Sequence, residues 1–300
     1  MFSRICFAVA AGLMCAGAGL ADPVHIETAT GPVTLDATPK RIVALDVAAI
    51  DTLSALGVPL VGVVAPLYVA PLAEQVAGIP VVGTLFEPDF EKIAVARPEV
   101  IVVGGRSVAQ ARPLAGIAPV LDMSIGPDAV GDALARLTAY GALTGDAEQA
   151  EALAAELEAK LETARARVAG QGGALILMTN GPKLSVFGRG SRFGWLHSRL
   201  GWPEAVEHIA ASPHGEPVSF EYLAEANPDW LIVIDRGQAV SGGSDSARAT
   251  LDNDLMRGVA AVQAGQVLYL DPADIYVAAG GVGAMGRTLD QIIDALPPAP

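Results

Sequence analysis

Short β-branched runs alternate with stretches of helical spacing along most of the chain. The run "RIVALD" (41–46) predicts a strand, "AAIDTLSALG" (48–57) predicts a helix that ends at a glycine, and "VPLVGVV" (58–64) predicts the next strand. The same order returns in the second half, where "ALILMT" (174–179) and "DWLIVID" (229–235) are further predicted strands. Alternation of this kind predicts an α/β fold whose parallel-rich sheets carry helices on their faces.

One stretch is much longer than the other predicted helices. Residues 146–169 contain neither glycine nor proline and are rich in alanine, leucine and glutamate. Asp146 is a suitable N-cap, and "GQGG" follows the stretch. We therefore expect two Rossmann-like lobes, at 22–145 and 171–300, joined by one long connecting α-helix at 146–170, with a ligand cleft between the lobes.

A weak internal repeat supports this division. The segment "FEKIAVARPEVIVVGGRS" (90–107) matches "FEYLAEANPDWLIVIDRG" (220–237) in its helix, its proline, its acidic residue and its strand. An arginine follows the strand in each copy, Arg106 in the first and Arg236 in the second. Because ligands of open α/β sheets bind outside the carboxyl ends of the strands, we expect both arginines to point towards the cleft.

The overall charge excludes some partners. The 300 residues include 33 acidic and 19 basic side chains, which give a formal net charge of -14. Nucleic acids and anionic membrane surfaces attract basic proteins, so we expect neither as a partner. Hydrophobic residues make up 52% of the chain, enough to build a large core.

The first 21 residues have the composition of a secretory signal peptide. Arg4 precedes an apolar run, and small residues lead to a predicted cleavage site after Ala21. The run is too short for a membrane anchor, and the residues before Cys15 make a poor lipobox, so we predict a soluble protein exported to the periplasm. Both cysteines, Cys6 and Cys15, lie in this segment, and the mature protein would therefore have no thiol.

The sequence offers little for catalysis. The stretch "GGVGAMG" (280–286) fits a dinucleotide-binding pattern, but the few residues after it leave no room for the second strand of that motif. No Gly-x-Ser-x-Gly motif is present, and the four histidines have neither metal-binding spacing nor clustering. We therefore expect neither an enzyme nor an intrinsic cofactor.

A basic loop interrupts this acidic chain. The stretch "FGRGSRFGWLH" (187–197) contains Arg189 and Arg192 among glycines and aromatic residues. It is either a solvated turn or the mouth of a pocket for a flat, negatively charged ligand. His214, in "SPHGEP", and Tyr276, in "DPADIYVAAGG", are ordinary residues when taken alone, but together with the arginines they suggest a binding site.

Two sets of motifs resemble a known family. Substrate-binding proteins of ferric-siderophore ABC transporters, a group with vitamin B12 and haem binders among its relatives, are similar to this chain in "RIVALDVAAIDTLSALGVPLVGV", "FEPDFEKIAVARPEVIVVGGR" and "AVQAGQVLYLDP". The branch that binds ferric catecholates, including tetradentate bis-catecholate complexes, is similar in "SVFGRGSRFGWLHSRLG", "SPHGEPVSFEYLAEANPDWLIVIDRG", "TLDNDLM" and "YLDPADIYVAAGG". The resemblance covers the chain from about Lys40 to Ile293.

The resemblance implies roles for the basic residues. Arg106, Arg192 and Arg236 would hydrogen-bond the catecholate oxygens, because a guanidinium keeps its charge and presents a fork of donors. Arg189 would lie at the rim of the site or behind it. Trp195 would line the pocket.

The same resemblance implies that His214 and Tyr276 complete the coordination shell of Fe³⁺ when the siderophore supplies four donors. Ferric iron is a hard, six-coordinate cation that prefers charged oxygen ligands and accepts an imidazole. A bis-catecholate contributes four oxygens, which leaves two positions for the protein. The iron is thus carried as part of the ferric siderophore and is not a resident cofactor.

The resemblance also implies a membrane partner, an inner-membrane ABC permease that receives the ligand. One glutamate per lobe docks such permeases. Glu87 or Glu91 in the first lobe and Glu221 in the second match in position. We expect the protein to act as a monomer.

The predicted function is therefore the capture of a ferric catecholate siderophore and its delivery to the permease. The alternatives in the same class are haem, a corrinoid or a hydroxamate siderophore; the His/Tyr pair could ligate haem, whereas three arginines argue against a neutral hydroxamate complex. An exported siderophore esterase would need a nucleophile near His214, and neither Ser212 nor Ser219 lies in an activation motif.

Overall fold

The computed structural model describes residues 23–212, 214–241 and 246–298. The predicted signal peptide lies outside these residues. The described chain begins with an antiparallel hairpin of β1 (Val24–Thr28) and β2 (Gly31–Leu35). None of the helices among these residues combines the length and the hydrophobicity that spanning a bilayer requires.

The first lobe is built on a four-stranded, fully parallel sheet, as the sequence predicts. Its strands are β3 (Ile42–Ala44), β4 (Leu60–Val63), β5 (Val100–Val103) and β6 (Val120–Asp122). They lie in the order β4-β3-β5-β6, with β3 and β5 buried in the centre. The helices of this lobe are α1 (Val47–Ala55), α2 (Ala70–Gln75), α3 (Phe90–Ala96), α4 (Ala111–Leu114) and α5 (Ala129–Thr144).

The long helix, α6, runs over Ala147–Val168. Gly145, with a φ of 76°, ends α5, and the side chain of Asp146 then accepts a hydrogen bond from the backbone N–H of Gln149 at 3.3 Å, which begins α6. The buried residues of α6 recur at helical spacing and form one stripe that faces α5 and the C-terminal helix.

The second lobe contains a five-stranded mixed sheet. Its strands are β7 (Ala174–Asn180), β8 (Lys183–Phe187), β9 (Glu216–Val218), β10 (Trp230–Asp235) and β11 (Val267–Tyr269). They lie in the order β11-β10-β7-β8-β9, in which β7, β10 and β11 are parallel, and β8 is antiparallel to both of its neighbours. The antiparallel pair begins with a tight turn at Gly181, whose φ is 58°.

Short helices surround this sheet. They are α7 (Trp195–Ser198), α8 (Phe220–Ala226), α9 (Arg236–Ser241), α10 (Ser246–Leu251), α11 (Asp254–Arg257) and α12 (Ala260–Gln263). A π-helical turn (Ala273–Val277) precedes the C-terminal helix α13 (Val282–Ala295).

Helix α13 returns to the first lobe. It packs against α1 and α6, and the side chain of Asp51 on α1 accepts hydrogen bonds from the backbone N–H groups of Gly283 (2.7 Å) and Ala284 (3.0 Å). The chain therefore crosses between the lobes a second time, in addition to the crossing through α6. Buried residues of both lobes belong to one hydrophobic cluster, which packs the two lobes against each other.

The two copies of the sequence repeat adopt the same local structure. Helices α3 and α8 have seven residues each, and each ends at a non-glycine residue in the left-handed region, Arg97 (φ 47°) and Asn227 (φ 40°). A proline follows in both, Pro98 and Pro228, and forces the chain out of the helix and into a buried strand.

Candidate functional site

A cavity of about 460 Å³ lies between the two lobes. The first lobe lines it with residues that follow its strands, including Asp46, Arg106 and the loop around Gly126. The second lobe lines it with the basic loop, including Arg192. The crossing segment, residues 270–281 between β11 and α13, adds Val277 and Ala279. The position of this cavity agrees with the expected binding cleft at the carboxyl ends of the strands.

Arg106 reaches the cavity from the end of β5. Two glycines separate the strand from the arginine, and the first of them, Gly104, packs so closely on Asp46 that an added Cβ would lie 2.3 Å from the carboxylate. The guanidinium of Arg106 donates hydrogen bonds to the backbone carbonyls of Tyr276 (2.9 Å) and Val277 (3.1 Å). The first-lobe arginine is thus held by the segment that crosses between the lobes.

Arg192 lies in the basic loop after β8. The loop folds back on itself, because an added Cβ at Gly194 would lie 2.0 Å from the carbonyl oxygen of Arg189. The Nη2 group of Arg192 donates to the carbonyl of Tyr276 at 2.9 Å, and its Cζ atom is 4.3 Å from the centroid of the Tyr276 ring. Burial lowers the pKa of the Arg192 guanidinium, which nevertheless stays a cation at any physiological pH.

Arg236 reaches the same tyrosine from the end of β10, where it begins α9. Its Nε group donates a hydrogen bond to the hydroxyl of Tyr276 at 3.1 Å. The structure therefore brings together Arg106, Arg192, Arg236 and Tyr276, four of the residues that the sequence singled out.

Tyr276 is surrounded by positive charge. Burial alone would raise the pKa of its hydroxyl, but the hydrogen bond from Arg236 and the charges of Arg236, Arg192 and Arg106 outweigh burial and lower that pKa. A phenol in this environment ionises more readily than a free tyrosine. Its oxygen is then a hard, anionic donor of the kind that ferric iron prefers.

His214 lies in the loop between the basic loop and β9, and its side chain is exposed. Its backbone N–H donates to the hydroxyl of Ser212 at 3.3 Å, and Ser212 itself lines the cavity. The loop thus borders the cleft, while the approach of the imidazole to Tyr276 stays a prediction. Within the described ranges, no group of three His, Cys, Asp or Glu side chains is arranged to hold a metal ion.

Arg189 and Trp195 lie outside the arginine cluster. The Nε group of Arg189 donates to Glu204 at 3.2 Å, and its Nη1 group donates to the carbonyl of His197 at 3.3 Å, so this arginine braces the basic loop. Trp195 is 3% exposed and borders a small void behind the main cavity, together with Ala129, which lines both. A contact of either residue with ligand stays a prediction.

The three predicted docking glutamates are all exposed. Glu91 and Glu221 occupy the same place in the two repeats, the first turn of α3 and of α8. Hydrogen bonds from Ser219 and the backbone lower the pKa of Glu221, so it is ionised at neutral pH. Glu87 lies in the turn before α3. Their role in docking stays a prediction.

Sequence reasoning missed a buried ion cluster beside the site. Arg287 on α13 donates from Nη2 to Asp274 at 2.7 Å and to Asp51 at 3.2 Å, and its Nε group also donates to Asp274. Asp51 and Asp274 are 4% and 5% exposed, and burial raises the pKa of both despite the arginine. Asp274 belongs to the π-helical turn of Tyr276, so the cluster fixes that turn to α1 of the first lobe.

Most of the chain matches one family of known proteins. Residues 42–273 match the family described as periplasmic binding protein. The chain belongs to the periplasmic binding protein family. Members of this family are substrate-binding proteins.

Individual relatives are similar over most of their length. Petrobactin-binding protein YclQ of Bacillus subtilis is 31% identical over 266 residues, which cover 86% of this chain and 83% of that protein. Ferric-anguibactin-binding protein FatB of Vibrio anguillarum is 30% identical over 283 residues, 91% of this chain and 88% of that protein. The crystal structure of the periplasmic catecholate-siderophore binding protein VctP from Vibrio cholerae matches with a TM-score of 0.84 at 30% identity, covering 90% of this chain and 99% of that one.

Proposed function

We propose that this protein captures a ferric catecholate siderophore in the periplasm and delivers it to an inner-membrane ABC permease. The observation that carries the proposal is the convergence of Arg106, Arg192 and Arg236, from both lobes, on Tyr276, next to Val277, which lines the cleft. The names of three relatives support the ligand class, because they refer to petrobactin, ferric anguibactin and a catecholate siderophore.

The arginines suit an anionic ligand with clustered oxygens. A ferric catecholate keeps negative charge on the oxygens that bind the iron, and a guanidinium offers five N–H donors in a planar fork. Each of the three arginines uses one or two donors on the Tyr276 segment, so further donors are available to a ligand. Charge-assisted hydrogen bonds of this kind contribute about 1.5–3 kcal/mol each.

Tyr276 is our proposed iron ligand when the siderophore leaves coordination positions open. Its hydroxyl, whose pKa is lowered by Arg236 and the other arginines, supplies a phenolate oxygen. His214, on a loop that borders the cavity, is the proposed second donor. A tetradentate bis-catecholate would then bind with an iron centre completed by one oxygen and one nitrogen from the protein.

Membership of a family of substrate-binding proteins supports delivery to a permease. The exposed glutamates Glu91 and Glu221, in equivalent first turns of α3 and α8, offer one negative charge per lobe to basic pockets of a permease. We propose that the protein acts as a monomer, has no intrinsic cofactor and performs no chemical step on its cargo.

A fluorescence titration tests the proposal, with the three tryptophans as reporters. The purified protein would be titrated with a ferric bis-catecholate, a ferric tris-catecholate, a ferric hydroxamate and haem, in parallel with the double variant His214→Ala/Tyr276→Phe. We expect the bis-catecholate to quench with the lowest Kd, and we expect the double variant to weaken that ligand more than the hexadentate tris-catecholate. Tighter binding of haem or the hydroxamate would refute the proposed ligand class.

A further inference from the structure

A buried carboxylate lines the cleft beside the arginines. Among the described residues around the cavity, Asp46 supplies the one acidic side chain, and it is 8% exposed. It lies at the end of the β3 segment, close enough to Arg106 for their charges to interact. A catecholate ligand would be repelled by this charge, so its presence in an anion-binding cleft requires an explanation.

The local structure does not require the charge of Asp46. Its Oδ1 atom accepts a hydrogen bond from the backbone N–H of Ala49 at 3.0 Å and thereby caps α1. Asparagine and serine cap helices equally well without a charge. Arg106 directs its own hydrogen bonds to the carbonyls of Tyr276 and Val277, which leaves the carboxylate without a guanidinium bonded to it.

The carboxylate is also held in one position. An added Cβ at Gly104 would lie 2.3 Å from Oδ2 of Asp46, so the side chain packs directly on the glycine backbone. Burial raises the pKa of Asp46. The backbone N–H of Ala49, the charge of Arg106 and the backbone N–H of Ala48 offset only part of that effect, so the ionised form gains from a further cation. A fixed, under-compensated carboxylate in a cavity wall is a preorganised acceptor for a positively charged donor.

We propose that Asp46 binds a protonated amine, or another cationic donor, in the organic backbone of the siderophore. The inference rests on the proposed function, because it assigns a second subsite in the same cleft. The catecholate oxygens would face Arg192, which lines the second-lobe wall, and Arg236, which is bonded to the Tyr276 hydroxyl. The cationic linker would face the first-lobe wall formed by Asp46 and Gly105. The cleft would thus select a ligand that is anionic at its iron centre and cationic in its backbone.

A matched pair of ligands tests this subsite. Two synthetic ferric bis-catecholates would have linkers of equal length, one with a secondary amine and the other with a methylene group at the same position. We expect the wild-type protein to bind the amine ligand about 10-fold more tightly, since one charge-assisted hydrogen bond is gained. Asp46→Asn keeps the helix cap and should reduce the preference to about twofold or less, mainly by weakening the amine ligand.

The outcomes separate the two proposals. Equal binding of both ligands by the wild type, or an undiminished preference in Asp46→Asn, overturns the assignment of Asp46 and leaves the proposed function intact. Failure of the wild type to bind either ligand overturns the proposed function and this inference with it. Asp46→Ser, a second uncharged capping residue, replaces Asp46→Asn if the latter does not fold, with thermal unfolding as the check.

Discussion

In both lobes an arginine follows the strand of the same helix–strand unit, Arg106 after β5 and Arg236 after β10. The units agree in helix length, in the left-handed residue that ends the helix and in the proline that follows. Their arginines nevertheless differ in what they bind: Arg106 donates to two backbone carbonyls, whereas Arg236 donates to the hydroxyl of Tyr276. The repeat determines where each arginine lies. The crossing segment determines which group that arginine hydrogen-bonds, a backbone carbonyl or the tyrosine hydroxyl.

The central strands of the two sheets lead to a second difference. In the first lobe, β3 leads through Asp46 directly into α1, so this position presents a carboxylate. In the second lobe, β7 turns into the antiparallel strand β8, which delivers the basic loop and Arg192 to the cleft. The second-lobe wall of the cleft is therefore the more positive one, because it presents Arg192. The first-lobe wall presents one charge of each sign, Asp46 and Arg106.

The largest effect is expected where the crossing segment is fixed to the first lobe. Arg287→Met leaves Asp51 and Asp274 buried without their counterion and should lower the free energy of unfolding by about 3–5 kcal/mol at neutral pH. Burial already raises the pKa of both carboxyls. At a pH above these raised pKa values both groups are charged while buried, and without Arg287 that charge destabilises the folded state. The loss should therefore shrink as the pH falls and both carboxyls become protonated.

Urea denaturation of the variant at several pH values measures this loss. Lys160→Met provides a control, because Lys160 pairs with Asp290 at 2.7 Å in a partly exposed position next to the cluster. Its removal should cost about 1 kcal/mol or less. A similar loss for both variants would mean that the buried cluster does not anchor the turn of Tyr276 more strongly than a surface ion pair.

The next effect concerns the basic loop of the second lobe. Arg192→Gln removes a cation from the cavity wall and should weaken binding of a ferric bis-catecholate by about 10- to 100-fold, the value of one charge-assisted hydrogen bond. Arg189→Gln makes the same charge change in the same loop. Because the guanidinium of Arg189 is bonded to Glu204, this substitution should weaken ligand binding by about threefold or less. Equal losses in the fluorescence titration would show that the net charge of the loop matters and the fork of Arg192 does not.

These contrasts show what the sequence could predict. The strand ends and the repeat predict Arg106 and Arg236, the basic loop points to Arg192, and the family resemblance assigns Tyr276 to the site. The structure brings these four residues together. Asp146 was likewise predicted to be an N-cap, and α6 begins directly after it.

Other features depend on long-range packing that no local pattern encodes. The amphipathic pattern of α13 does not reveal that the helix packs on α1, and Asp51 looks like a surface residue of an ordinary helix. The backbone carbonyl of Tyr276 accepts hydrogen bonds from two arginines. Every residue has such a carbonyl, so the sequence cannot indicate this role. Asp46 was missed because a capping residue at a strand end is common in α/β proteins.

A spectroscopic measurement sharpens the contrast between the two repeat arginines. Arg236→Gln removes the hydrogen bond to the Tyr276 hydroxyl and the strongest of the nearby charges, so it should raise the pKa of that hydroxyl. Arg106→Gln removes the weakest of the three arginine charges, and no hydrogen bond to the hydroxyl, so it should raise the same pKa less. Ultraviolet difference titration of the phenol, with Tyr276→Phe subtracted to remove the other tyrosines, measures both shifts. The reverse order would contradict the assigned partners.

The smallest effect is expected outside the cleft, where the two repeats agree. Glu91→Gln and Glu221→Gln each remove one exposed charge from equivalent first turns, those of α3 and α8. Because an exposed ion pair contributes little, each substitution should slow delivery to the permease by a similar factor of about five or less. Affinity for the ferric ligand should not change. Ligand-stimulated ATP hydrolysis by the reconstituted permease measures delivery, and Glu87→Gln is the matched control from the turn before α3. If Glu87→Gln slows delivery and Glu91→Gln does not, the first lobe docks through the turn, and the equivalence of the two repeats does not extend to the permease.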